Sequence, residues 1–187
     1  MNIRLYDPNS IVENTTKSLS KEHGHYVVNV MRLKLGSRLN FFNKDGEWES
    51  EITLIQKDKV EVKFIKKIKQ ANNSSKIELA ICLVKKTPME TILQKSTELG
   101  IKKIIPIVSE RTEVKDLNYE RARKIVTEAT EQSNQLNPPE ISKVKKLKDF
   151  LKNLDNSTKL LFADVNSKNI LKNDNIKKGE ALSVLIG

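Results

Sequence analysis

The 187-residue sequence predicts an α/β protein with an N-terminal β-barrel domain, on three observations. Up to position 70, short apolar runs alternate with polar residues around an Asp-Gly turn. The stretch Gln70-Ala71-Asn72-Asn73-Ser74-Ser75 is polar and without periodicity, which places a domain boundary there. Beyond it, continuous apolar runs alternate with segments of helical period, the pattern of a largely parallel sheet covered by helices. The domains predicted are therefore 1–70 and 71–187.

In the first domain LNFFN and EWESEITLI flank Lys44-Asp45-Gly46, a hairpin signal, because Asp-Gly supplies the positive φ angles that a tight turn requires. KVEVKFIKKI follows, with Val60, Val62 and Phe64 at every second position, which marks a half-buried strand. One helix interrupts the strands. Ser20 is placed to cap it, Val27, Val30 and Met31 give near-helical spacing, and Gly36 lies beyond its end.

In the second domain IELAICLV reads as a buried strand. Thr87-Pro88-Met89-Glu90 then predicts a helix start with a capping threonine, a proline at the first helical position and a glutamate closing a capping box. Met89, Ile92, Leu93 and Ser96 form its inner stripe and Gly100 ends it. IIPIV is the next strand and 118–136 the next helix, with Leu147, Phe150, Leu151 and Leu154 the stripe of a third. KLLFAD and ALSVLIG complete the sheet. Lys143, Lys145, Lys146 and Lys148 read as the solvated start of that third helix.

Composition narrows the chemistry. Apolar residues make up 37% and charged ones 31%, with no apolar run of bilayer length, and Asp7 and Pro8 fall where a signal peptide needs its apolar core, so a cytoplasmic protein is expected. The single cysteine, Cys82, allows no intramolecular disulfide and no cysteine-rich metal site, and reads as a core residue; His23 and His25 are badly spaced for zinc, so no metal is expected. The net charge of +10 favours an anionic partner, and it is spread over both halves. Only Arg4, Arg32, Arg38, Arg111, Arg121 and Arg123 can grip phosphate with a planar fork, which makes them the candidates for specific contacts. The run Val84-Lys85-Lys86-Thr87-Pro88 after the first α/β strand has no glycine, which argues against an ordinary dinucleotide or P-loop site, and no GxSxG elbow exists.

Some polar residues stand where they cost free energy. Glu98 falls in the last turn of its helix, against the macrodipole, with Lys102 a candidate counter-ion. The stripe Ala122, Ile125, Val126 and Ala129 continues onto Gln132, Ser133 and Leu136. An unpaired buried polar group costs ~1–3 kcal/mol, so Gln132 and Ser133 need partners in the core, in a ligand or in a second subunit.

KKTPMETILQKSTELGIKKIIPIVSERTEV, followed by EQS and PPEI, resembles the ribosomal small subunit RNA methyltransferase E family. His25-Tyr26-Val27-Val28 and Val30-Met31-Arg32 before Gly36 resemble that family's PUA-like RNA-binding domain. The resemblance implies a SPOUT-type α/β domain with a trefoil knot, a homodimer, and transfer of methyl from S-adenosylmethionine to N3 of a uridine in 16S rRNA. It implies cofactor contacts at Leu185, Ile186 and Gly187, RNA contacts at Arg4, Arg32, Lys95 and Arg111, and catalytic candidates in Glu98, Glu131 and Gln132, with the polar end of the 118–136 helix facing an inter-subunit groove. The chain departs from the pattern at Asn134-Gln135, where the family usually has arginine after EQS. It also stops at Gly187, before the GPEGG loop and a later segment resembling LRxETA, so the knot is expected to be incomplete and S-adenosylmethionine binding by this chain weak. A non-catalytic RNA-binding module is the alternative reading.

Overall fold

The computed structural model describes residues 3–57, 59–71, 75–169, 171–172, 176–177 and 179–187. Residues 72–74, in the polar stretch between the predicted domains, lie outside them. The chain divides into two compact units, Met1–Asn73 and Ser74–Gly187.

The first unit is one five-stranded sheet in the order β1-β3-β4-β5-β2, where β1 is Arg4–Tyr6, β2 Thr16–Ser18, β3 Arg38–Asn43, β4 Gly46–Gln56 and β5 Lys59–Gln70. The predicted hairpin forms, but its turn residues are Lys44 and Asp45, neither with positive φ, and Gly46, at φ +150, opens β4 opposite Asn43. Strands β1 and β2 carry no alternation long enough to read from the sequence. They are fixed by tertiary pairing, β1 parallel to β3 and β2 antiparallel to β5. Three register shifts between β4 and β5 strengthen the coil of the sheet. Its core holds Leu5, Leu39, Phe41, Ile52, Val62 and Phe64, with Val27 wholly buried from the helical segment.

That segment differs from an ordinary helix. Ser20 caps α1 (Lys21–His25) by accepting from the His23 amide, and the chain then widens into a π-helical turn, Tyr26–Val30. Met31 donates to the Tyr26 carbonyl and Leu33 to the Val27 carbonyl, both at 2.9 Å, and between them Arg32 takes φ +56. A side chain with a Cβ pays ~1–2 kcal/mol in that left-handed region.

The second unit is an all-parallel sheet in the order β10-β11-β6-β7-β8, with β9 also paired to β7. The strands are β6 (Ile77–Cys82), β7 (Lys103–Val108), β8 (Glu140–Ile141), β9 (Lys145–Lys146), β10 (Lys159–Ala163) and β11 (Leu182–Ile186). Helices α2 (Lys86–Glu98) and α3 (Tyr119–Gln132) cover one face, where Met89, Leu93, Ala122, Ile125 and Val126 pack on Leu79, Ile81 and Ile104. Helix α4 (Leu147–Lys152) covers the other, where Phe150 packs on Ala80, Ile105, Ile107 and Leu185. Truncating one such buried residue, as in Leu93→Ala, is expected to cost roughly 2–5 kcal/mol.

Four sequence expectations are corrected. Helix α2 begins two residues early, capped at Lys85 with no side-chain bond, so Thr87 is not its cap; Glu90 turns instead to Arg121 of α3. Helix α3 stops at Gln132, which is exposed; the buried hydroxyl of that stripe is Thr130, which satisfies itself on the Val126 carbonyl at 2.6 Å. Leu151 is 45% exposed, because α4 ends at Lys152, too short to sustain the predicted stripe. Cys82 is only half-buried, although it packs against the α4-side core.

Candidate functional site

In a parallel sheet each connecting helix runs back against the strands, so helix starts gather at the carboxyl edge and helix ends at the amino edge. The strand order here reverses between β6 and β11: β6 leads through α2 to β7 on one side, while β10 and β11 lie on the other. A crevice outside the carboxyl ends at such a reversal is where open α/β sheets bind ligands.

The strand registers place Ala163, Ile186, Ile81, Pro106 and, one step on, Cys82, Ile107 and Lys145 along that edge. Leu185, Ile186 and Gly187 sit at the end of β11, at the reversal. Phe162, opposite Leu185 on β10, is 60% exposed, and Ile186 is 38% exposed. Farther along the edge is a cleft of about 710 Å³ lined by Val108, Ser109, Arg111, Lys146, Lys148 and Leu151 among others. It brings three cations together against one carboxylate, Glu110.

The turn that presents Arg111 is locked. Thr112, buried, accepts from the Ser109 amide at 2.9 Å and shares a second hydrogen bond with the Ser109 hydroxyl at 2.9 Å, while its own amide donates to the Ser109 carbonyl. Lys115 Nζ donates to the Thr112 carbonyl. Glu110 and Arg111 therefore stand at the tip of a short hydroxyl-closed turn. Thr112, Lys146 and Lys148 were not assigned to the site by sequence reasoning; the Ser/Thr pair three residues apart was the readable signal for the first.

The other predicted residues of this unit lie at the opposite edge. Glu98, Lys95, Glu131 and Gln132 occupy the last turns of α2 and α3, which end at the amino edge before β7 and β8 begin. The structure therefore separates the three catalytic candidates and Lys95 from Arg111 and the β11 end, because both helices run antiparallel to the strands. Glu98 pairs not with Lys102 but with Lys95, one turn back, at 2.8 and 3.1 Å, and accepts from Gln94 at 2.9 Å. Chiefly the Lys95 hydrogen bond holds its carboxyl below the usual glutamate range. A base that must accept a proton at neutral pH needs the reverse shift. Glu131 is half-buried and Gln132 exposed. Gln135 reaches the Glu98 carbonyl with its amide at 3.5 Å, joining the ends of α2 and α3.

In the first unit Arg4 is committed internally. Its Nε and Nη2 each donate to Glu47 at 3.1 Å, its guanidinium lies 4.3 Å from the Phe42 ring centroid, and its side chain is 11% exposed. Burial and pairing remove it as a free phosphate contact. Arg32 is exposed. Among the described residues no group of three or more metal-ligating side chains exists, and no helix is long and apolar enough to cross a membrane.

Comparison with known proteins gives two family matches, an RNA methyltransferase domain over residues 70–187 and an RNA methyltransferase PUA domain over residues 19–65. Ribosomal RNA small subunit methyltransferase E of Rickettsia conorii is 33% identical over 189 residues, covering 98% of this chain and 77% of that protein. A Legionella pneumophila structure, described as a methyltransferase in complex with the bound cofactor SAM, matches all of this chain and 80% of its own at 28% identity and a TM-score of 0.86. A small subunit methyltransferase E from Neisseria gonorrhoeae, bound to S-adenosyl methionine, matches with a TM-score of 0.89 over 100% of this chain and 79% of its own; at 23% identity it speaks for the fold.

Proposed function

This chain belongs to the ribosomal RNA small subunit methyltransferase E family, and on that premise we propose that it methylates N3 of a uridine in 16S rRNA, using S-adenosylmethionine, in the cytoplasm and as a homodimer. The observation that carries the reading is the carboxyl edge of the second unit, which bears both a cationic cleft at the β7 and β9 ends and exposed apolar residues on β10 and β11 beside the strand-order reversal.

The residues present fit the cofactor in part. Phe162 and Ile186 carry exposed apolar surface near the end of β11, and the main chain of Ile186 and Gly187 offers polar groups at the strand end. When bound, that cofactor supplies an electrophilic methyl group on a cationic sulfur.

The rest is positioning and electrostatics by this chain's side chains. Uridine N3 is an imide nitrogen that must give up its proton, in this reading to solvent water, to become a nucleophile, and the charge then spreads onto O2 and O4. Arg111, held at the locked Ser109–Thr112 turn, is the donor placed to stabilise that charge, and Lys146 and Lys148 attract the RNA backbone beside it. The first unit, with its PUA-domain match, supplies further RNA contacts. Glu98, Glu131, Gln132 and Lys95, at the amino edge, support the α2–α3 ends in this reading and touch no reacting atom.

The test is complementation. The gene, introduced into a bacterium lacking its own uridine-N3 methyltransferase, should restore one methyl group to 16S rRNA on mass mapping, and the Arg111→Ala gene should not. An unmodified rRNA with the protein still bound to it would favour the RNA-binding module instead.

A further inference from the structure

Strand β7 carries a proline, and the chain beside it makes a detour. The Glu140 amide donates to the Lys102 carbonyl and the Ser142 amide to the Ile104 carbonyl, both at 3.0 Å. The next rung of that ladder would take the Val144 amide to the Pro106 carbonyl, but Val144 donates instead to the Tyr119 hydroxyl at 2.8 Å. Pro106 stands two residues after Ile104, so it faces the same neighbour, and it has no amide proton to give to it.

The register records the detour. From the pair Ile104 and Ile141 to the pair Ile107 and Lys145, strand β7 advances three residues while its partner advances four. The extra residue is a β-bulge, a device that re-aims the side chains beyond it. Ile141 and Val144 accordingly pack into the same α2–α3 core, although a regular strand would turn residues three apart to opposite faces. Past the bulge Lys146 stands beside Val108 at the cationic cleft, while Leu147 joins Phe150 in the core on the α4 side. In an uninterrupted register Lys146 and Leu147 would exchange faces.

Tyr119 is well placed to hold the bulge. It opens α3, where Asn118 caps the helix by accepting from the Arg121 amide at 2.9 Å, and it packs against the α2–α3 core. The Val144 amide that the ladder releases therefore finds an acceptor on a fixed element.

We propose that Tyr119 is a positioning residue for RNA in the cleft: its hydroxyl holds the bulge, and the bulge keeps Lys146 turned to the phosphate it attracts. The proposal rests on the reading of the chain as an rRNA methyltransferase and adds to it a residue outside the cleft. Arg111 is held by its own Ser109–Thr112 turn, so the Tyr119 hydroxyl acts through Lys146 and not through Arg111.

The experiment is a pair of double-mutant cycles on the full chain, read as affinity for a 16S rRNA fragment at several salt concentrations. Lys146→Ala should weaken binding roughly tenfold and lower the slope of log affinity against log salt by about one. Tyr119→Phe should weaken binding about fivefold, with a smaller drop in the same slope. In the Lys146→Ala background Tyr119→Phe should add nothing, whereas in the Arg111→Ala background it should keep its full effect. A merely structural loosening would weaken both backgrounds alike. Hydrogen exchange of the Val144 amide should be slow in wild type and faster in Tyr119→Phe, with unfolding lowered by only about 2–4 °C. Equal losses in the two backgrounds, an unchanged Val144 exchange rate, or failure of Tyr119→Phe to fold would each overturn the proposal. Wild-type chain that binds no 16S rRNA would overturn the functional reading beneath it, and the proposal with it, before any variant is compared.

Discussion

Arg4 and Glu47 meet in a two-pronged ion pair, 3.1 Å on each prong, with side chains only 11% and 8% exposed. Asn40 donates a third hydrogen bond to the same carboxylate at 2.8 Å. Two charges taken out of water are tolerable only when paired this completely. The pair ties β1 to the β3–β4 hairpin, so a residue that reads in the sequence as a candidate phosphate contact is a structural one.

Arg4→Ala is therefore expected to destabilise the first unit by ~3–5 kcal/mol, because it leaves Glu47 buried and unpaired. Arg4→Met with Glu47→Gln should recover most of that loss. Denaturant unfolding of both variants checks the pair; a single variant as stable as wild type would mean that water reaches Glu47.

Gly100 ends α2 at φ +79, and a Cβ there would stand 2.8 Å from the Gln135 side-chain amide. Gly100→Ala is expected to cost roughly 1–2 kcal/mol of unfolding free energy, from the left-handed backbone and the displaced Gln135. Gln135→Ala alone should cost less, since it frees one long hydrogen bond to the Glu98 carbonyl.

His23 is held below the ordinary histidine pKa, first by burial, with the Lys17 charge adding to it and Glu22 and Asp7 opposing. Its ring stacks edge-on to Phe41 at 6.4 Å. The folded state then binds fewer protons than the unfolded one just below pH ~6.5, so stability should fall as pH drops through that window. Melting temperatures from pH 7.5 to 5.5 should decline in wild type and decline less in His23→Gln.

Arg111→Ala is expected to lower kcat/KM for 16S rRNA by about 10²-fold, the loss of one charge-stabilising donor. Glu98→Gln, at the far edge of the sheet, should remain within a few-fold of wild type, with an unchanged pH profile. Initial rates between pH 6 and 9 decide the matter. A loss in Glu98→Gln as large as that of Arg111→Ala would return that carboxylate to the reaction.

The sequence by itself determined what depends on neighbours along the chain. The β3–β4 hairpin, the Ser20 cap, the Gly100 helix end and the continuous apolar strands all follow from turn chemistry and periodicity, and KKTPMETILQKSTELGIKKIIPIVSERTEV with the EQS after it carried the family resemblance. Only the tertiary structure decided which end of the sheet each polar residue occupies. Glu98 and Arg111 are close in sequence yet lie at opposite edges, because a helix linking parallel strands must run back along them. Strands β1 and β2, three residues each, exist only through their partners. The left-handed turn at Arg32 carries no glycine to announce it, and the commitment of Arg4 to Glu47 spans 43 positions, beyond the reach of any local pattern.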